Sequence, residues 1–448
     1  MRVPAPTAIA LICALAFPVV GGGAHATEIT VCSSGCDYTA IQDAVDNATP
    51  GDTLLLGPET FYEHAHIEKD LIVQGAGPEQ TIVDGGGSGG SVFEICGWGD
   101  CVLTSVTLAG MTIQNGRAFH GGGVSHYVGQ LKIENCHIRN NRTTDEALPH
   151  WGGGIFSCGN LRVSNSTISG NRADAGGGIG MAECRDAGPL EITNTTISDN
   201  RDGGVAIDYW SDPVVTISNS TVTNNTYLNW GGSCGGAGGL FTCSVFPVTL
   251  MNTIVAGNEG PQCAGGVTSG GHNLSSDSSC DFTRGTDLQN TDPLLLPLAD
   301  NGGPTHTCAL QPSSPAIDAG GSRCEPTDQR GVSRPYDGDG RGGARCDIGA
   351  FEYVPVPLIV IPQVYDLMLE LAGEHHELVA PLQDAIQVLE NGDPSNAGEA
   401  VAHLQAFIAE VEEERGLTLT DAEADELITE AQRIIVLLNF RGSPAGNQ

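Results

Sequence analysis

What most constrains this chain is that it repeats one pattern with small edits. Gly121-Gly122-Gly123-Val124, Gly152-Gly153-Gly154-Ile155, Gly176-Gly177-Gly178-Ile179, Gly203-Gly204-Val205 and Gly238-Gly239-Leu240 make one series. A second pairs Ile138 with Asn141, Ile168 with Asn171, Ile197 with Asn200, Val222 with Asn225 and Val255 with Asn258. Both advance by about 24 to 35 residues per step, the signature of a stacked repeat. Between them run alternating stretches: "LKIENCHI" from Leu131, "LRVSNSTI" from Leu161, "LEITNTTI" from Leu190 and "VTISNSTV" from Val215. Alternation puts Leu131, Ile133 and their equivalents on one buried strand face, and no helical period competes with it. Units with the same order of strand and turn place equivalent strands parallel, each paired with the next coil. The expected architecture is a parallel β-helix, right-handed by the general rule for parallel crossovers, with Ile155, Ile179 and Val205 superposed.

The repeat's punctuation has a physical reading. Glycine permits positive φ and close backbone approach at each bend, while asparagine occupies αL turns or stacks into amide ladders. Asn165-Ser166-Thr167 and Asn194-Thr195-Thr196 also read as glycosylation sequons, but their fixed place in the repeat favours a structural role. On these residues the chain resembles the secreted right-handed parallel β-helix proteins of pectin-lyase-like fold. Its GGGI and I-x-x-N steps are similar to the GGAI and F-x-x-N repeats of bacterial polymorphic outer-membrane proteins, with Ile or Val in place of Phe.

A β-helix exposes apolar ends, so both need covers. "YTAIQDAVDNATPGDTLLL" from Tyr38 supplies the first: Ala40, Ile41, Ala44 and Val45 make a short helical face within an N-terminal cap over 27–70. At the far end, "SGGHNLSSDSSC", "TDPLLLPLADNGGPTHTCALQPSSPAIDAG" and "DQRGVSRPYDGDGRGGARCDIGAFEY" together resemble the module called choice-of-anchor Q, over 269–353. That resemblance implies a place at or beyond the cell surface. The β-helix is thus read over 27–353. A proline-rich linker follows over 354–362, then an acidic helical module over 363–440 and a tail over 441–448. In the module Ala400, Leu404, Phe407, Ile408 and Val411 share a face, as do Leu427, Ile428, Ala431, Ile434, Ile435 and Leu438. Thr420 with Glu423 reads as a capping box, and Gly392 and Gly416 as helix stops. The module resembles the FIMAH-type helical domains that end some bacterial surface proteins; a bundle core, or a groove for a protein partner, would use its apolar stripes.

Residues 1–26 carry Arg2, an apolar run from Ala8 to Val20 and Ala24-His25-Ala26, which together read as a secretory signal peptide. No later stretch approaches the ~18 unbroken apolar residues of a membrane span. The expected location is secreted or cell surface. Of 15 cysteines, all but Cys13 lie beyond the signal, and an even number in an exported chain reads as disulfides. Short separations nominate Cys32–Cys36, Cys96–Cys101, Cys234–Cys243, Cys263–Cys280 and Cys324–Cys346, leaving Cys136, Cys158, Cys184 and Cys308 unassigned. A formal charge of −35 with only 19 basic residues argues against nucleic acid as a partner.

Polygalacturonase chemistry needs clustered carboxylates; here Asn290-Thr291-Asp292 belongs to the terminal segment and no Asp-Asp pair or Gly-His-Gly exists. A lyase needs a base and a cation beside a carboxylate. Arg201, Asp202, Asp208 and Tyr209 on one coil, with His120, His126, Tyr127 and His150 on earlier ones, are the candidates. Trp151, Trp210 and Trp230 are candidate platforms for sugar rings. Asp337-Gly338-Asp339-Gly340 has calcium-loop chemistry in miniature, which makes calcium the candidate cofactor, while zinc is disfavoured because no C-x-x-C pair is present. The leading expectation is an exported β-helix that binds carbohydrate or a cell-envelope surface without catalysis. The alternative is a polysaccharide lyase acting on uronate polymers.

Overall fold

A computed structural model describes residues 26–442 except 88, 98–103, 145–148, 183, 185–186, 209–212, 228–235, 245–246, 356–359, 361–362, 366, 369–370, 372–374, 376–377 and 391–396. The proposed signal peptide therefore lies outside the described residues, as does Gly392.

The alternating stretches are strands, and strands of one kind stack. Among the described residues they form three sheets. The first has ten strands, from Glu28–Val31 to Val267–Gly271; the second has nine, from Thr60–Phe61 to Leu274–Ser275; the third has eight, from Ala65–Ile67 to Cys263–Ala264. One coil shows the plan: Asn160–Ser164 in the first sheet, Thr167–Ser169 in the second, Ile179–Met181 in the third, then Leu190–Thr193 back in the first. Neighbouring coils pair in parallel and in register, Leu131 on Leu161 on Leu190, and Ile155 on Ile179 on Val205. The inward members are fully buried in one continuous core. The chain is a parallel β-helix followed by a small helical region.

Asparagine performs both of its expected jobs, at different corners. Asn135, Asn165, Asn194, Asn219 and Asn252 turn the chain from first to second sheet with φ near +50°. Asn141, Asn171, Asn200, Asn225 and Asn258 point inward between second and third sheets. The Oδ1 of Asn171 accepts from the backbone N–H of Asn141 at 3.0 Å and from its Nδ2 at 3.1 Å, and Asn200 does the same for Asn171. Gln262 ends the ladder, taking both donors of Asn258. Each triple glycine crosses against the next rung: Gly152 has φ +68°, and a Cβ on Gly153 would lie 2.4 Å from the Arg172 carbonyl. Asn194 is buried, which fits the corner role and not a glycan acceptor.

The helix Ile41–Asn47 buries Ile41, Ala44 and Val45 over the first coil, and Glu63 accepts from the Ile41 and Gln42 N–H groups at its start. At the opposite end Cys280 and Phe282 join the main core. The segment expected to cover that end does something else as well. Residues 305–350 run back along the outer face of the second sheet. Thr305 Oγ1 donates to the Asn165 carbonyl, Thr196 Oγ1 to Gln329 Oε1, the Ala350 N–H to Thr221 Oγ1 and the Gly349 N–H to the Asn252 carbonyl. This strap is fastened by buried charges. Arg330 pairs with Asp328 at 2.7 Å and lies 3.6 Å over the Phe351 ring, while Arg334 pairs with Glu352 at 3.1 Å. Burial, then mutual repulsion, raises Asp347 well above the usual carboxylate range; burial also raises Glu352, against the pull of Arg334.

Disulfides join Cys32 to Cys36, Cys158 to Cys184, Cys263 to Cys280 and Cys324 to Cys346. Cys158–Cys184 links two of the cysteines that spacing left unassigned, because it spans adjacent coils and not a local loop. Cys96 and Cys243 are disulfide-bonded, but the nominated partners Cys101 and Cys234 lie outside the described residues. Cys136 and Cys308 are free and buried.

Beyond the linker, helices Val379–Glu390, Ala397–Glu414 and Asp421–Gly442 bury Leu382, Leu404, Phe407, Ala431 and Ile434 in a core of their own. Thr420 and Glu423 form the capping box, each accepting from the other's backbone N–H. Among the described residues no helix is long and apolar enough to cross a membrane.

Candidate functional site

A ligand can reach only those sheet faces that nothing covers. The second face lies under the strap. On the third, the outward His66 and Glu94 of the early coils are half-buried, whereas further along Phe156, Ala206 and Phe241 are buried with Trp151, Ala175 and Cys184 in a separate apolar cluster. The first face is open: Ile72, Ser105, Gln130, Lys132, Asn160, Arg162 and Glu191 are all exposed.

Two adjoining hollows are cut into this open face where the chain turns in from the third sheet. One of about 470 Å³ is lined by Asp70, Tyr127, Gln130, Asn160 and Gly188; the other, of about 350 Å³, by Thr107, Gln130, Lys132, Asn160, Arg162 and Glu191. Gln130 and Asn160 belong to both, so the hollows form one cleft. Flat strands give the floor, and side chains from successive rungs recur about 4.8 Å apart. Lys132 pairs with Glu134 at 2.5 Å and Arg162 with Glu191 at 2.9 Å. Cys158 also lines the cleft, and its disulfide to Cys184 ties one wall to the next coil. Amides, a phenol and paired charges beside a partly apolar floor suit hydroxyl-rich ligands better than wholly apolar ones. Sequence reasoning missed Gln130, Lys132, Asn160 and Arg162; the signal available was the polar member of each alternating strand.

Of the candidate catalytic residues, Tyr127 lines this cleft, but the other described ones are not gathered there. His120, His126 and His150 are buried. His120 Nδ1 accepts from the Trp151 N–H at 3.0 Å, its ring stacks on Phe156, and His150 Nδ1 donates to Asp174 at 3.0 Å. Nε2 of His126 donates to the Val128 carbonyl. Burial holds His120 and His126 down at about 4, with His150 adding to the effect on His120. Arg201 is exposed, 3.6 Å from Asp202, whose carboxyl is raised by burial against the pull of Arg201 and Arg172. Asp208 is buried beyond the other end of the strand Val205–Ile207 that Arg201 precedes, so the two do not share a site. Tyr209 lies outside the described residues. Trp151 is only 2 % exposed and fills the apolar layer, so it offers no platform to a sugar; Trp210 and Trp230 lie outside the described residues.

Asp337 and Asp339 do converge, joined by Asp318, with a carboxylate oxygen of each within 4.8 Å of the others. Backbone N–H groups of Asp339, Arg345 and Gly342 already bond to Asp318 and Asp337. Such an oxygen set is of the kind a hard cation such as calcium takes. Its third member was invisible in sequence because Asp318 lies on a separate turn.

With this geometry in place, comparison with known families adds one finding. A family model described as right handed beta helix region matches residues 84–278. No curated protein matches the chain.

Proposed function

We propose that this protein is an exported, surface- or carbohydrate-associated β-helix that holds carbohydrate in the cleft of its first sheet without transforming it. One observation carries the reading: among the described residues of the coils from Gln130 to Glu191, the first sheet keeps its outer face open, and a polar cleft runs across successive rungs there. The buried, internally bonded histidines leave that cleft without an imidazole base. The resemblances noted in the sequence extend the proposal, with 269–353 as a choice-of-anchor Q type end and 363–440 as a helical contact for a protein partner.

Glycan-array binding of the intact protein, followed by affinity electrophoresis, tests this. The expected result is retention by a polysaccharide that falls about tenfold when Gln130 and Asn160 are both changed to alanine, each having lost hydrogen bonds to the ligand. Binding indifferent to that pair overturns the cleft assignment. Release of unsaturated uronides from a uronate polymer, read by ultraviolet absorbance, would make the protein a lyase instead.

A further inference from the structure

Away from the cleft, at the corner between second and third sheets, arginines stand in a column. Arg117 pairs with Arg142, Arg142 with Arg172, and Arg172 with Arg201, each one rung from the next. The backbone there is fixed: the N–H groups of Arg142, Arg172 and Arg201 bond to the carbonyls of Gly116, Asn141 and Asn171 at 2.8 to 2.9 Å. Because Asn141, Asn171 and Asn200 point inward, Arg142, Arg172 and Arg201 point out. Arg142, Arg172 and Arg201 are exposed.

This placement is unfavourable for an unliganded surface. Like charges on neighbouring strands repel, and the chain carries 54 acidic residues against 19 basic ones. Nevertheless, among the described residues neither Arg142 nor Arg172 has a side-chain ion pair. Asp202 pairs with Arg201 at the far end and is also drawn by the charge of Arg172. Beside Arg142 a hollow of about 460 Å³ is lined by Gly86, Gly87, Asn115, Gly116 and Asn140, small or amide residues that leave room for a sugar ring. The column is finite: Thr226 takes the next register position and Glu259 the one after.

We propose that this column is a binding site for a linear acidic polysaccharide carrying one carboxylate or sulfate per sugar, separate from the first-sheet cleft. An extended sugar chain advances one unit in a distance close to the rung spacing of about 4.8 Å. Successive anionic groups would then meet successive guanidinium forks, whose planar donors fit carboxylate and sulfate oxygens two at a time. Nucleic acid fits less well, because its one charge per ~3.4 Å of strand does not match the rung spacing.

Isothermal titration of the intact protein with polygalacturonate, dextran sulfate and uncharged dextran tests the assignment. Binding to an acidic polymer and not to dextran is expected, weakened about tenfold by each of Arg142→Gln and Arg172→Gln as a charged contact is lost, and partly kept by Arg→Lys at the same positions. Which acidic polymer responds identifies the anionic group, and either response supports the site. Unchanged binding in the Arg142→Gln/Arg172→Gln double variant overturns it, as does equal binding of dextran or no binding of either acidic polymer. Lys132→Gln/Arg162→Gln in the cleft separates the two surfaces: loss there with the arginine variants unaffected removes this site and leaves the cleft reading standing. The arginines are exposed, so the variants should melt no lower than the parent.

Discussion

The coils and the strap are held together by opposite means. In the coils each residue type meets itself one rung away: asparagine bonds to asparagine, isoleucine covers isoleucine, and backbone ladders close every gap. In the strap nothing repeats; Asp328, Arg330, Arg334, Asp347 and Glu352 are buried, and each is neutralised or bonded by a different partner. Repetition spreads stability over many small equal contacts, so losing one is a local matter. A buried ionic knot concentrates it, so losing one partner strands the others.

Acid should separate the two regions most sharply. Burial holds His120 and His126 at about 4 and His137 at about 3, so the folded coils keep these rings neutral. Their contribution is complete above the unfolded histidine value near 6.5 and is lost as pH falls toward those folded values, on the order of 3 kcal/mol per ring. Asp347 and Glu352 are shifted upward, so their contribution runs the other way, present at low pH and lost as pH rises through their raised values. Hydrogen exchange at pH 7 and pH 4.5 should show protection falling in residues 120–157 before it falls in 328–353; the reverse order breaks the comparison.

Asp328→Ala comes next. It leaves Arg330 and the N–H groups of Val332 and Glu352 without their acceptor, at a cost of about 3–5 kcal/mol in urea unfolding. Asn171→Ala removes one ladder step and strands the backbone N–H of Asn141 and one of its two Nδ2 hydrogens, the other staying on the Ile113 carbonyl; the cost is about 2–3 kcal/mol, with exchange rising mainly in the adjoining coils. Ile168→Val, one methylene from the same rung, should cost about 1 kcal/mol and change no exchange outside its own coil. An Asn171 effect as large as that of Asp328, spread over the whole chain, would show that the coils do not behave as a column of neighbours.

The same contrast explains what the sequence disclosed. Strand faces, the register of Ile155, Ile179 and Val205, the first-coil helix and the capping box at Thr420 all rest on short-range pattern, and all can be read directly. The route of the strap rests on single side-chain bonds between residues more than a hundred positions apart, such as Thr196 to Gln329, which no period announces. For the same reason Cys158–Cys184 escaped spacing arguments. The histidines and Trp151 have the chemistry of a site, but beside the later strands of the third sheet a second apolar layer buries the outward face. Histidine and aromatic residues drew attention by chemistry, whereas the open cleft is made of glutamine, asparagine and paired charges, residues that stand out only once burial is known.

The strap also bears on how such a chain can change over generations. A solenoid grows or shrinks by duplicating or deleting a turn, since every interface is a copy of its neighbour. Here one segment bonds first to Asn165, then to Asn252, Asn194 and Thr196, and last to Asn252 and Thr221, so it crosses the same turns more than once and ties them into one set. Gaining or dropping a turn in that interval would break several of these bonds at once, so the copy number there is fixed.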